Sequence, residues 1–134
     1  MPRFPSREWA DEYVRQLNAN TGYRDAGMGW EGDITLCVEK DQTLAASWYI
    51  YLDLHHGSCW GYEVFVEGDD VPDSEFVYSG PFGNWRRLIG GEIEPIQGLL
   101  TGKFRLKGPV MKVLRYSRAA KEMVNTAKLV DTEF

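Results

Sequence analysis

The chain has little of what metal and redox sites need. Its 134 residues contain two histidines, His55 and His56, and two cysteines, Cys37 and Cys59. Two cysteines do not make a disulfide framework and fit a reducing compartment. Both histidines and Cys59 fall close to Asp53, but no second ligand cluster exists to complete a tetrahedral zinc site. We therefore expect a hairpin tip here, no metal ion and no cofactor.

Long apolar runs are also missing. No stretch approaches the roughly 20 apolar residues that a membrane-spanning helix requires. The N-terminal segment Met1–Pro5 holds two prolines, and no apolar run follows it, so we expect no signal peptide. A length of 134 residues is typical of one domain. The sequence thus predicts a single cytoplasmic domain over residues 1–134.

Catalytic motifs are absent as well. There is no G-x-S-x-G elbow, and the two histidines share one turn. Residues Gly27–Gly32 read G-x-G-x-x-G, but a helix precedes them and a strand follows, the reverse of the dinucleotide-binding order. The acidic stretch Glu67–Glu75 lacks the spacing of a helix-loop-helix calcium site. We interpret both segments as loops and predict no catalytic residue.

The chain is rich in aromatic residues, and its charged residues are distributed unevenly along the sequence. Aromatic residues make up 13% of the sequence, and such side chains line pockets as readily as they fill cores. Residues 1–79 carry five basic and 15 acidic side chains, whereas residues 80–134 carry ten basic and five acidic ones. The acidic half argues against nucleic acid. The basic half indicates an anionic partner, such as a carboxylate, a phosphate or a transient membrane surface, or else attraction between the two halves.

Hydrophobic periodicity predicts an α+β fold. Ser6 is a helix N-cap, and Trp9, Tyr13 and Leu17 lie on one apolar face behind it. The rest of the pattern predicts strands over residues 33–38, 44–54, 59–67 and 76–79, two short helices at residues 85–89 and 95–100, a strand at 103–107 and a long last helix from residue 110. We expect a five-stranded antiparallel sheet covered by helices on one face.

The segment Gly80–Met111 resembles the sterol carrier protein family. The resemblance rests on a Trp-x-x-Leu helix, a Gly-Gly pair, a Glu-Pro step, and the strings Leu-Leu-Thr-Gly-Lys and Phe-Arg-Leu-Lys-Gly, which begin at Trp85, Gly90, Glu94, Leu99 and Phe104. It implies a stand-alone domain of prokaryotic type whose sheet and helices enclose an apolar tunnel for fatty acids, acyl-CoA esters or sterol-like lipids. The Ser-Lys-Leu ending of peroxisomal members is absent from this chain, which favours the cytoplasm.

The resemblance also implies a set of ligand-binding residues. By position, the two short helices lie over the tunnel, one strand lies beneath it, and the last helix closes it. Strand aromatics of the first half narrow or fill it. The predicted ligand-binding residues are Trp48, Ile50, Trp60, Tyr62, Phe82, Trp85, Leu88, Ile89, Ile96, Leu99, Leu100, Phe104, Leu106, Val110, Val113, Leu114 and Met123. From charge alone, Arg86, Arg87, Lys112 and Arg115 are candidates to meet an acidic head group.

Three functions remain open at this point. The first is non-catalytic binding or transfer of a hydrophobic ligand. The second is an accessory subunit or interaction module with a filled core, which would need a homodimer or enzyme partner. The third is a small enzyme acting on an acyl or aromatic substrate, for which the sequence offers no polar group in a suitable place.

Overall fold

The computed structural model describes residues 1–134 as an α+β fold. Its helices are α1 (Arg7–Ala19), α2 (Thr21–Ala26), α3 (Phe82–Ile89), α4 (Pro95–Leu100), α5 (Val110–Arg115) and α6 (Ser117–Leu129). Its strands are β1 (Glu31–Glu39), β2 (Trp48–His55), β3 (Ser58–Val66), β4 (Phe76–Pro81) and β5 (Arg105–Lys107). The predicted class and order of elements are confirmed, apart from the differences described below. No helix is long and apolar enough to cross a membrane.

The sheet is mixed, with the strand order β3-β2-β1-β4-β5. Strands β1, β2 and β3 form an antiparallel meander, and β5 pairs antiparallel with β4. The prediction of a purely antiparallel sheet is wrong for one pair, because β4 runs parallel to β1. The loop over residues 67–75 carries the chain across the sheet from β3 at its edge, so that β4 starts at the same end as β1.

Helix α1 begins where the sequence places it. The side chain of Ser6 accepts a hydrogen bond of 3.0 Å from the backbone N–H of Trp9, which satisfies one of the free donors of the first turn. The residues Trp9, Tyr13 and Leu17 on its apolar face are all buried. This helix packs mainly against β3.

The two adjacent histidines lie at the turn between β2 and β3. His56 and Gly57 occupy the two turn positions with φ values of 51° and 81°, the left-handed conformation that a two-residue hairpin loop needs. A side chain at position 57 would collide with the backbone of Arg24. The expected hairpin tip is confirmed.

Two helical details differ from the sequence prediction. Helix α1 ends at Ala19, because Asn20 is extended (φ −84°, ψ 105°), but the Asn20 side chain accepts a hydrogen bond from Tyr23 N–H at 3.2 Å and starts the additional helix α2. The last helix is not continuous either. Tyr116, with φ −110° and ψ 31°, separates α5 from α6. Periodicity alone carries no signal for such a break, because the apolar spacing continues across it.

All helices cover the same face of the sheet. On β2 that face consists of Ile50, Leu52 and Leu54, none more than 1% exposed. On β1 it includes Ile34 and Leu36, which pair with Leu52 and Ile50 in the register. These inner side chains form the floor on which the functional site is built.

Candidate functional site

A cavity of about 100 Å³ lies between the sheet and the helices. Every helix except α2 contributes to its wall, together with the inner face of β1, β4 and β5. The lining residues are Trp9, Tyr13, Ile34, Leu36, Tyr78, Trp85, Leu88, Ile89, Pro95, Ile96, Leu99, Leu106, Val113, Ala120, Met123, Val124 and Ala127. None of them carries a charge.

The cavity exists because the helical layer packs unevenly on the sheet. Over β2, the inner side chains are sealed, and Leu52 is 0% exposed. On β1, β4 and β5, the inner side chains that line the cavity, Ile34, Leu36, Tyr78 and Leu106, are only half-buried, whereas Val38 and Phe76 on the same face are sealed. An inward-facing apolar residue that stays half-buried marks incomplete packing. The space therefore lies over the β1–β4–β5 half of the sheet.

The aromatic residues of α1 turn their polar atoms away from the cavity. Trp9 Nε1 donates to Thr132 Oγ1 at 2.9 Å, and the Tyr13 hydroxyl donates to the Met123 carbonyl at 3.0 Å. The two rings stack at a centroid distance of 5.0 Å. Burial raises the pKa of Tyr13 well above its usual value, so this hydroxyl stays protonated. Both residues therefore present ring surface to the space inside.

The aromatic residues on the opposite side behave in the same way. The Tyr78 hydroxyl donates to the Pro95 carbonyl at 2.9 Å, and Trp85 Nε1 donates to the Cys37 carbonyl at 3.0 Å. The Tyr78 ring stacks on Phe104, and burial raises the pKa of its hydroxyl. With its polar atoms already paired, this lining can hold a ligand by apolar contact and shape, not by hydrogen bonds.

The outer wall of the cavity is built from short elements. Helices α4 and α5 have six residues each, and β5 has three. Helix α5 has no buried residue and no side-chain cap at its N-terminus. Elements with so few buried contacts open at lower free energy than the core. This wall is the part of the site best able to move.

The family to which the chain belongs is shown by a match to a family model. The model of the SCP-2 sterol transfer family matches residues 7–121. The chain belongs to this family. The match covers α1 through the start of α6, and so includes every lining residue except Met123, Val124 and Ala127.

Solved structures agree with this assignment. A crystal structure of sterol carrier protein 2 is 34% identical with a TM-score of 0.85, covering 93% of this chain and 97% of its own. The solution structure of a conserved hypothetical protein from Thermus thermophilus is 32% identical, also with a TM-score of 0.85, and covers 96% and 90%. Palmitated SCP2L2 from Aedes aegypti is 14% identical with a TM-score of 0.52, covers 82% and 92%, and shares the fold. No curated protein matches the chain by sequence.

Within this SCP-2 family domain, the cavity brings together about half of the ligand-binding residues predicted from the sequence. Eight of the 17 line it: Trp85, Leu88, Ile89, Ile96, Leu99, Leu106, Val113 and Met123. They come from α3, α4, β5, α5 and α6. Six of the eight fall within Gly80–Met111, the segment that resembles the family in sequence, and Val113 and Met123 lie beyond it.

Nine predicted residues do not line the cavity. Some are buried in the solid core or packed against neighbouring elements, and others point to solvent. Tyr62 donates to Asp11 at 2.7 Å on the α1 side, and Trp60 is 64% exposed and stacks on His55 at the hairpin tip. The full set is Trp48, Ile50, Trp60, Tyr62, Phe82, Leu100, Phe104, Val110 and Leu114.

Nine lining residues escaped the sequence prediction: Trp9, Tyr13, Ile34, Leu36, Tyr78, Pro95, Ala120, Val124 and Ala127. Most belong to apolar faces that the periodicity does reveal. The α1 pair Trp9 and Tyr13 stood on a clear amphipathic stripe. Periodicity distinguishes an inward face from an outward one, but it does not distinguish a residue in a solid core from one beside an empty space.

The four candidate head-group cations do not gather at one point. The Arg86 guanidinium lies 5.4 Å from the centre of the Phe134 ring. Lys112 is bound internally, because its ammonium donates to the Glu31 carbonyl at 2.6 Å and to the Glu75 carboxylate at 3.0 Å. Arg87 and Arg115 are exposed. None of the four lines the cavity.

Neither the histidines nor the cysteines take part in the site. His55 lies 2.8 Å from the Asp53 carboxylate, and His56 lies 3.0 Å from that of Glu31 at the hairpin tip. No group of three or more His, Cys, Asp or Glu residues converges as metal ligands would. Burial raises the pKa of Cys37 and of Cys59 to about 11, so both are protonated thiols at neutral pH.

Proposed function

We propose that this protein binds and carries a hydrophobic ligand, a fatty acid or a similar amphiphile, in the cavity, without catalysing a reaction. The supporting observation is the set of inward-facing but half-buried apolar side chains, Ile34, Leu36, Tyr78 and Leu106, around a space with no unpaired polar atom on its aromatic walls. The relative from Aedes aegypti, which carries palmitate, supports the choice of an acyl chain.

The proposal includes an expansion of the cavity. An engineered cavity of about 150 Å³ is filled by one benzene molecule, so about 100 Å³ is too small for a complete acyl chain. The short elements α4, β5 and α5 form the wall that moves outward as the chain enters. Each methylene that enters contributes about 0.8 kcal/mol, which offsets the cost of displacing a weakly packed wall.

The test is direct. Protein purified from cells is measured by native mass spectrometry, and the bound small molecules are extracted and identified. Delipidated protein is then titrated with a fluorescent fatty acid, which palmitate is used to displace. The proposal predicts a bound amphiphile in the first measurement and displacement in the second. Apo mass alone, together with no binding of the fluorescent acid, would contradict it.

The interaction-module alternative requires a core without free space. The strand aromatics that would fill the interior do not do so: Trp48, Trp60 and Tyr62 lie outside the cavity lining. The enzyme alternative requires a polar group with an altered pKa facing the ligand, and the hydroxyl of Tyr78 already donates to a backbone carbonyl. Both observations favour a carrier. A stable partner that copurifies with an empty protein would revive the interaction module.

We further propose that the ligand is exchanged at an anionic membrane surface. Beside the short outer wall, Leu100 is 73% exposed and Met111 is 69% exposed. Residues 95–121 contain seven basic and no acidic side chains. Only Arg105 and Lys112 among these seven form salt bridges. Exposed apolar side chains in a segment with five cations that form no salt bridge suit a bilayer with negative head groups, to which each nearby cation contributes about 1 kcal/mol.

Vesicle binding tests this route. Co-sedimentation is measured with phosphatidylcholine vesicles, with and without phosphatidylglycerol. We expect binding only to the anionic vesicles and weaker binding at high salt. The double variant Leu100→Ser, Met111→Ser should bind them several-fold less, while a double variant at exposed positions outside residues 95–121, Met28→Ser, Leu129→Ser, should bind like the wild type. Equal binding by both double variants would remove the membrane proposal but leave ligand binding intact.

A further inference from the structure

A second, smaller cavity lies directly beside the first. It has a volume of about 40 Å³ and is lined by Tyr23, Trp30, Ile34, Leu54, Val113, Tyr116, Ala119, Ala120 and Met123. Four of these residues, Tyr23, Trp30, Leu54 and Ala119, are buried. All of its lining residues are apolar or aromatic.

The two cavities share part of their walls. Ile34, Val113, Ala120 and Met123 line both. Ile34 belongs to the rigid sheet and Ala120 has only a methyl group, so neither can act as a moving barrier. Val113 is on the weakly packed helix α5. Met123 is unbranched and has three rotatable side-chain bonds, which makes it the most adaptable member of the partition.

The far side of the second cavity is rigid. Trp30 packs edge-on against Tyr116 at a centroid distance of 5.2 Å and lies 5.4 Å from the centre of the Phe76 ring. Its Nε1 donates to the Gly32 carbonyl at 3.0 Å, so it too shows ring surface to the space. Because Met123 can move and the aromatic wall behind it is fixed, the second cavity can accept a chain only up to a defined depth.

We propose that the second cavity receives the methyl end of a long acyl chain, which passes Met123 when the ligand is long enough. This inference rests on the proposed function and adds a chain-length limit to it. An engineered cavity of about 150 Å³ holds the six carbons of one benzene molecule, so about 40 Å³ holds one or two methylenes. Since each buried methylene is worth about fourfold in affinity, the second cavity adds about four- to sixteenfold for a chain that reaches it.

The test compares the affinities of palmitate and decanoate, both measured by displacement of the same fluorescent acid. Ala119→Val narrows the second cavity only, because Ala119 does not line the first. It should lower the ratio of palmitate to decanoate affinity by about tenfold. The matched control Ala127→Val narrows the first cavity only, and it should weaken both acids together and keep the ratio within about twofold.

A second variant tests the upper limit of chain length through the ratio of stearate affinity to palmitate affinity. Met123→Ala removes the partition, so it should raise the affinity for stearate relative to palmitate. Circular dichroism and thermal unfolding show whether each variant is folded. If the wild type binds both palmitate and decanoate, but Ala119→Val leaves the palmitate-to-decanoate ratio unchanged and Met123→Ala leaves the stearate-to-palmitate ratio unchanged, the second cavity is a packing space only, and this inference is wrong. If the wild type binds no acid, the proposed function itself fails.

Discussion

Filling the main cavity should make the protein more stable and a worse carrier at the same time. Val124 is on α6 and lines the main cavity but not the second one. Val124→Phe adds roughly 50 Å³ of side chain, about half of the free space, and filling a cavity recovers about 24 cal/mol per Å³. The expected gain in the free energy of unfolding is therefore about 1 kcal/mol, or roughly 3–5 °C in Tm.

The control is the same kind of change where no space exists. Leu52 is 0% exposed and lies outside the cavity, so Leu52→Phe should overpack the core and cost about 1–3 kcal/mol. Urea unfolding and fatty-acid displacement are measured for both variants without ligand. We expect Val124→Phe to be more stable than the wild type and to bind palmitate several-fold more weakly. A destabilisation by Val124→Phe as large as that by Leu52→Phe, or an unchanged palmitate affinity, would refute this expectation.

Three further outcomes follow from individual contacts. Tyr13→Phe removes the hydroxyl that donates to the Met123 carbonyl and should cost about 1 kcal/mol in urea unfolding, while a cost near zero would show that the bond is not formed. Burial opposes ionisation of Asp41, but hydrogen bonds from the Thr43, Gly83 and Leu44 backbone N–H groups outweigh it and lower its pKa. Its contribution is therefore present above pH 3.8 and lost as the pH falls below that value, so Asp41→Asn should show a smaller loss of stability between pH 5 and pH 2 than the wild type. With pKa values of about 11, Cys37 and Cys59 should react with iodoacetamide at neutral pH far more slowly in the native protein than in urea, and equal rates would contradict their burial.

Local chemistry made much of the fold predictable. The Ser6 cap, the apolar stripe of α1 and the glycine after His56 each fix one conformation through contacts within a few residues. The parallel pairing of β1 with β4 was not accessible in this way, because it depends on the path of the loop over residues 67–75 across the sheet. Nothing in the alternation of side chains distinguishes a parallel partner from an antiparallel one.

The site was predictable where it is continuous in sequence and hidden where it is assembled from distant segments. Residues on α3 and α4, such as Trp85 and Leu99, were found because one stretch of chain carries them. Trp9 and Ala127 meet only when α1 and α6 pack together, and the space between them results from a difference in packing between the two halves of the sheet. A cavity is a property of the whole packed layer, which no local pattern encodes.

The most direct test of the account locates the ligand itself. Protein with labelled methyl groups is mixed with carbon-13-labelled palmitate, and nuclear Overhauser contacts between the two are recorded. The account predicts contacts from the acyl chain to Ile34, Leu36 and Leu88, which line the main cavity, and none to Leu52, which lies in the solid core. Contacts confined to exposed side chains such as Leu129, or no contacts at a saturating ligand concentration, would contradict the central claim.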